Sequence, residues 1–79
     1  MCIRTLTGHA RYILSLVYLP DGLLASGSDD KTIKIWNIET GMCIKTLEGH
    51  EEWVRSLVYL PGGLLASGSA DKTIKIWKV

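Results

Sequence analysis

A fourteen-residue stretch occurs twice in this chain: LLASGSDDKTIKIW from Leu23 to Trp36, and LLASGSADKTIKIW from Leu64 to Trp77, with Asp29 against Ala70 as the single difference. Aligned to itself at an offset of 41, the chain extends this likeness. Residues 1–38 and 42–79 agree at 27 of 38 positions, among them Gly8-His9 with Gly49-His50 and Tyr18-Leu19-Pro20 with Tyr59-Leu60-Pro61. The fold therefore reads as two copies of one unit, residues 1–41 and 42–79, and the governing question is what one unit can bury.

Within the first copy, Cys2-Ile3-Arg4-Thr5-Leu6 is short and alternating, which predicts a strand with one wetter face; Arg4 and its counterpart Lys45 suit an outer position. After Gly8-His9, the nearly unbroken apolar and aromatic segment from Tyr12 to Leu19 predicts a central strand covered on both faces. Pro20-Asp21-Gly22 ends it with turn chemistry. Leu23 to Ser28 forms a third strand whose small residues Ala25, Ser26 and Gly27 admit close approach by another layer. Asp29-Asp30-Lys31 is a polar turn, and Thr32 to Ile38 is a β-branched fourth strand with Ile33 and Ile35 on one face and Lys34 and Trp36 on the other. Neither copy carries a helical period, so the expectation is an all-β chain of eight short strands.

Seventy-nine residues allow one small domain at most, in a size range where a single core is marginal without some further support. Nine basic against eight acidic residues leave no net field, which argues against nucleic acid or an anionic membrane as partner. The longest apolar run, Leu16 to Leu19, is far too short to span a bilayer, and nothing at the start reads as a signal peptide, so the expected compartment is cytoplasmic. Cys2 and Cys43 occupy equivalent places in the two copies. Each is expected to repeat its role in its own unit, as a buried or half-buried small hydrophobe and not as half of a disulfide.

Gly-His, an apolar strand, Pro-Asp-Gly, LLASGS-x-D and a strand ending in Trp resemble the WD40 repeat, the four-stranded unit of β-propellers, over essentially the whole chain. The Trp-Asp pair that names the family is replaced by Trp36-Asn37 and Trp77-Lys78. The resemblance implies a hydrogen-bonded tetrad in each blade, carried by His9, Ser26, Asp30 and Trp36 and again by His50, Ser67, Asp71 and Trp77. Strand alternation alone does not choose between Ser26 and Ser28, or between Ser67 and Ser69; the family match makes that choice. A buried indole and imidazole need partners, and a carboxylate that fixes the imidazole tautomer supplies one.

Ser, His and Asp together also admit a hydrolase reading, which requires the Ser to be presented on a sharp turn or in a cleft. Ser26 instead lies inside a strand of small packed residues, and the set occurs twice, as architecture does. Asp29-Asp30 lacks the ligand run of a calcium loop, and one His with one Asp is too few for zinc, so no metal and no cofactor is expected.

Five consecutive positions differ between the copies: Ala10-Arg11-Tyr12-Ile13-Leu14 against Glu51-Glu52-Trp53-Val54-Arg55. In WD40 propellers this region borders the upper face and central channel. Tyr12, Leu14, Trp53 and Arg55 are accordingly the candidate contacts for a peptide or protein partner, against the plainer reading that the aromatics cap the blade core.

Two blades do not close a ring. The order of strands places residues 12–47 in one whole blade and leaves the second without its outer strand; the simplest donor is the opening strand, Cys2, Ile3, Arg4, Thr5 and Leu6, of a neighbouring copy. Whole chains give an even blade number. Seven blades, commonest in the family, turn by about 51° each, against about 45° for eight and about 60° for six, so eight is the smaller distortion. The expectation is a homotetramer of eight blades, with a homotrimer of six as runner-up, serving as a non-enzymatic interaction scaffold. The alternative is an engineered or excised repeat fragment that is purely structural.

Overall fold

The computed structural model describes residues 1–79 and contains seven strands in two antiparallel sheets. The first sheet has the order β1 (Ile13–Leu19), β2 (Leu23–Ser28), β3 (Ile33–Asn37) and β4 (Cys43–Leu47); the second has β5 (Val54–Leu60), β6 (Leu64–Ser69) and β7 (Ile74–Lys78). Each is a meander whose turns are written locally. Between β1 and β2, Asp21 and Gly22 adopt φ of 66° and 75°, left-handed values that Asp tolerates and Gly takes freely, and the strands separate at Leu19 opposite Leu23. Between β2 and β3 it is Lys31 that turns left-handed, at φ 76°, while the Asp30 carboxylate accepts the Thr32 N–H at 3.0 Å and holds the turn.

Alternation along the strands then decides what faces what. Leu19, Ala25, Ile33 and Ile35 of the first sheet pack against Val54 and Leu65 of the second, with Val17, Leu57, Tyr59 and Trp77 around them. The sheets converge where β1 and β2 approach β5, so β1 and β5 are the innermost strands of two blades that fan outward. Closest approach falls at Gly27. A Cβ there would lie 2.7 Å from a Val54 methyl and 2.8 Å from the Ser15 hydroxyl, so glycine is required for the blades to meet.

Three expectations need correction. Cys2 to Leu6 form no strand, giving seven strands where eight were expected: residues 1–9 make no hydrogen bond from main chain to main chain, and a strand exists only where a second edge pairs with it. The segment instead rests on the first blade, with Arg4 Nη1 donating to the Ile38 carbonyl at 3.2 Å and Leu6 beside Leu16, Leu24 and Trp36. Strand β1 is covered on one face only, since Leu16 and Tyr18 are largely exposed on the side where no further blade stands. Finally, both cysteines are free and exposed; as the outermost element of the blade, β4 has nothing beyond it to bury Cys43.

Candidate functional site

In each sheet one polar cluster joins the loop before the innermost strand to the β2–β3 or β6–β7 turn. His9 Nδ1 lies 2.8 Å from Asp30 Oδ2, His9 Nε2 lies 2.6 Å from Ser26 Oγ, and Trp36 Nε1–H donates to the same Ser26 oxygen at 2.8 Å. The second blade repeats this with His50 to Asp71 at 2.9 Å, His50 to Ser67 at 2.7 Å and Trp77 to Ser67 at 2.8 Å. One set of proton positions satisfies every member. The Asp accepts from Nδ1–H, Nε2 accepts from the Ser hydroxyl, and the Ser oxygen accepts from the indole.

The carboxylates do more than orient the rings. Burial opposes ionisation of Asp30, yet the Thr32 hydroxyl at 2.5 Å, the His9 imidazole and the backbone N–H groups of Ala10 and Thr32 outweigh it and hold the carboxyl well below the usual carboxylate range. For Asp71 the Thr73 hydroxyl is the strongest influence, and burial opposes it; His50 and the N–H groups of Glu51 and Thr73 complete the set and lower this carboxyl too. Each cluster thus ties a loop, a turn and two strands together through one anion.

Chemically the arrangement has the connectivity of an acyl-transfer triad but not its access. Ser26 is 2 % exposed and Ser67 1 % exposed, and each oxygen is already engaged by imidazole and indole. No substrate carbonyl reaches either oxygen, and a nucleophile needs an open face beside an oxyanion site. No group of three His, Cys, Asp or Glu side chains is placed to hold a metal.

Several participants went unread in the sequence. Thr32 and Thr73 hydroxyls donate to Asp30 and Asp71, and the signal was there in the recurring Asp-Lys-Thr. Ser28 fixes the start of β1, because its Oγ donates to the Tyr12 carbonyl at 2.8 Å and accepts the Asp30 N–H at 3.0 Å. Arg11 pairs with Asp29 at 3.2 Å, and both members change together in the second copy, to Glu52 and Ala70.

The four variable-region residues lie at the head of the innermost strands. Tyr12 and Trp53 are exposed, at 77 % and 48 %, with their carbonyls held by Asp29 N–H and Ala70 N–H. Leu14 and Arg55 are the residues skipped by the ladder: Ile13 pairs with Ser28 and Ser15 with Gly27, while Val54 pairs with Ser69 and Ser56 with Gly68. Both are therefore bulge residues on an inner edge.

A four-stranded antiparallel meander pinned by Trp, Ser, His and Asp, and fanning from its innermost strand, defines a propeller blade. The family model described as "WD domain, G-beta repeat" matches residues 1–37 and 41–78. The chain belongs to the WD40 family, whose repeats generally build non-enzymatic scaffolds. Relatives match over about one repeat: the vegetative incompatibility protein HET-E-1 of Podospora anserina is 54 % identical over 41 residues, 51 % of this chain and 3 % of that protein. A coronin-like protein of Saccharomyces cerevisiae is 49 % identical over 41 residues, covering 49 % of this chain and 6 % of its own. Among solved structures, the computationally designed Ika4 protein superimposes with a TM-score of 0.83 at 34 % identity, over 94 % of this chain and 45 % of that one. The chain spans a small fraction of these natural relatives and under half of Ika4. No helix of the chain is long and apolar enough to cross a membrane.

Proposed function

We propose that this chain is a non-enzymatic interaction scaffold whose copies join head to tail into a closed propeller, eight blades from four chains. One observation carries the reading: the second blade presents, uncovered, the same residues that the first blade buries. Val58, Ile74 and Ile76 are exposed where their counterparts Val17, Ile33 and Ile35 pack against a blade. The β7 edge is likewise free where the β3 edge is paired by β4. Exposed sheet faces and edges of this kind associate.

Copying the internal register gives the joint. Ile33 pairs with Leu47, Lys34 with Thr46 and Ile35 with Lys45, so Ile74 faces Leu6, Lys75 faces Thr5 and Ile76 faces Arg4 of the next copy. The tetrads at His9, Ser26, Asp30 and Trp36, and at His50, Ser67, Asp71 and Trp77, act as structural pins in every blade. Tyr12, Leu14, Trp53 and Arg55 then surround the upper face and channel and contact a peptide or protein. Mass in solution tests the reading: four chains are expected, three would set the blade number at six, and a folded single chain near 8.7 kDa would end it. Deleting residues 1–7 is expected to abolish assembly; the same closed ring without them would show that the opening segment is dispensable.

A second reading, a purely structural object with no ligand, draws support from the likeness to a computationally designed protein and from the near-identity of the two repeats. Capture experiments with the assembled ring that recover no partner would favour it.

A further inference from the structure

Of the three arginines, two are committed: Arg4 to the Ile38 carbonyl and Arg11 to Asp29. Arg55 makes no ion pair and donates no hydrogen bond, although Glu51 and Glu52 lie four and three residues before it in the chain. Its place is unusual. It is the bulge residue of β5, left out of the ladder between Val54, buried against Gly27 of the first blade, and Ser56, which lies over Gly68 of its own blade. A bulge re-aims the side chain it skips, and β5 is the strand nearest the line on which the blades converge. The equivalent bulge residue in the first blade is Leu14.

We propose that the ring of Arg55 side chains, one from each chain and alternating with Leu14 about the axis, is an anion site for a compact oligophosphate. The inference rests on the closed-ring reading above, since one chain supplies a single guanidinium. Like charges gathered about one axis focus a positive potential along it. Guanidinium forks donate to phosphate oxygens in pairs, and a ligand on the axis meets all of them at once. Without an anion, the same charges repel one another, so the ligand stabilises the ring by removing that repulsion as well as by contact.

The probe is inorganic tripolyphosphate, titrated calorimetrically into protein whose mass has been measured in the same buffer. Expected are one anion per ring, affinity that falls as salt is added, and a rise in the melting temperature of the assembly. Arg55→Leu, which installs the side chain that the first blade already carries at this place, keeps the assembled mass and loses binding by about tenfold or more; Arg11→Ala leaves binding unchanged. An assembled ring that does not bind tripolyphosphate, one anion per chain, or full binding by Arg55→Leu would each overturn the anion site while leaving the ring intact. A single-chain mass would remove ring and site together.

Discussion

The stretch Thr-Ile-Lys-Ile-Trp is written identically at residues 32–36 and 73–77, yet its two copies live in different surroundings. Ile33 is wholly buried and Ile74 is 75 % exposed; Ile35 is 2 % exposed and Ile76 56 %. Local structure is the same in both, with matching registers against β2 and β6. The contrast separates two things that are easily merged. Side-chain pattern and turn chemistry make the strand and choose its face, whereas burial comes from a neighbour, and only the first blade has one on this side. The free energy of an apolar residue is thus a property of the contact it meets, at about 25 cal/mol per Å² removed from water.

The most direct way to break this comparison is to truncate both isoleucines. Ile33→Ala is expected to cost about 2–5 kcal/mol by denaturant titration, because it opens a cavity between blades. If copies of the chain cover the second blade, Ile74→Ala costs a similar amount and also weakens assembly; an effect of Ile74→Ala below about 0.5 kcal/mol, as at an exposed surface site, would mean that this face stays open.

Next in size are the pins. Ser26→Ala and Ser67→Ala each strand an indole N–H and an imidazole nitrogen, at a cost of about 1–3 kcal/mol. Equal losses would show that the two clusters bear the same structural load. A Ser67→Ala variant as stable as the parent would confine the pinning role to the first blade.

Acid sharpens the same point. Asp30 and Asp71 both ionise more readily in the folded chain than in the unfolded one, so their stabilisation is complete above about pH 4 and is lost as pH falls toward the lowered folded values. Melting temperature is expected to drop on acidification below that point, and Asp30→Asn with Asp71→Asn should flatten the profile. An unchanged slope in the double variant would assign acid sensitivity to other carboxylates.

The smallest effect concerns a difference that is written into the sequence. Arg11 pairs with Asp29 only in the first blade, and with the guanidinium largely in water the pair is worth less than about 1 kcal/mol. Arg11→Ala should shift the denaturation midpoint slightly at low salt and not at all at high salt. A loss of several kcal/mol would show that the ion pair organises the loop.

Legibility followed the range of the interaction. The seven strands that form lie within a residue or two of where alternation and turn residues put them, because these signals act over a few positions. Ser26 and Ser28 share a strand face and were indistinguishable by pattern. What separates them is register: Trp36 sits opposite Leu24 and reaches diagonally to Ser26, while Ser28 lies at the turn and bonds the Tyr12 carbonyl. The opening segment has the alternation of a strand but no partner within the chain, and a strand exists only as half of a ladder. The bulges at Leu14 and Arg55 left no mark in composition; they become visible only when the pairing partners on β2 and β6 are known.

By itself the sequence determined the repeating unit and its strands and turns, since these rest on local stereochemistry and on a period read along one chain; the residues that pin each blade were legible through the family resemblance. Tertiary structure alone decided which apolar face is covered and which is open, and which arginine stays unpaired. Those outcomes depend on distances between segments far apart in sequence, and two identical stretches placed beside different neighbours necessarily differ in them.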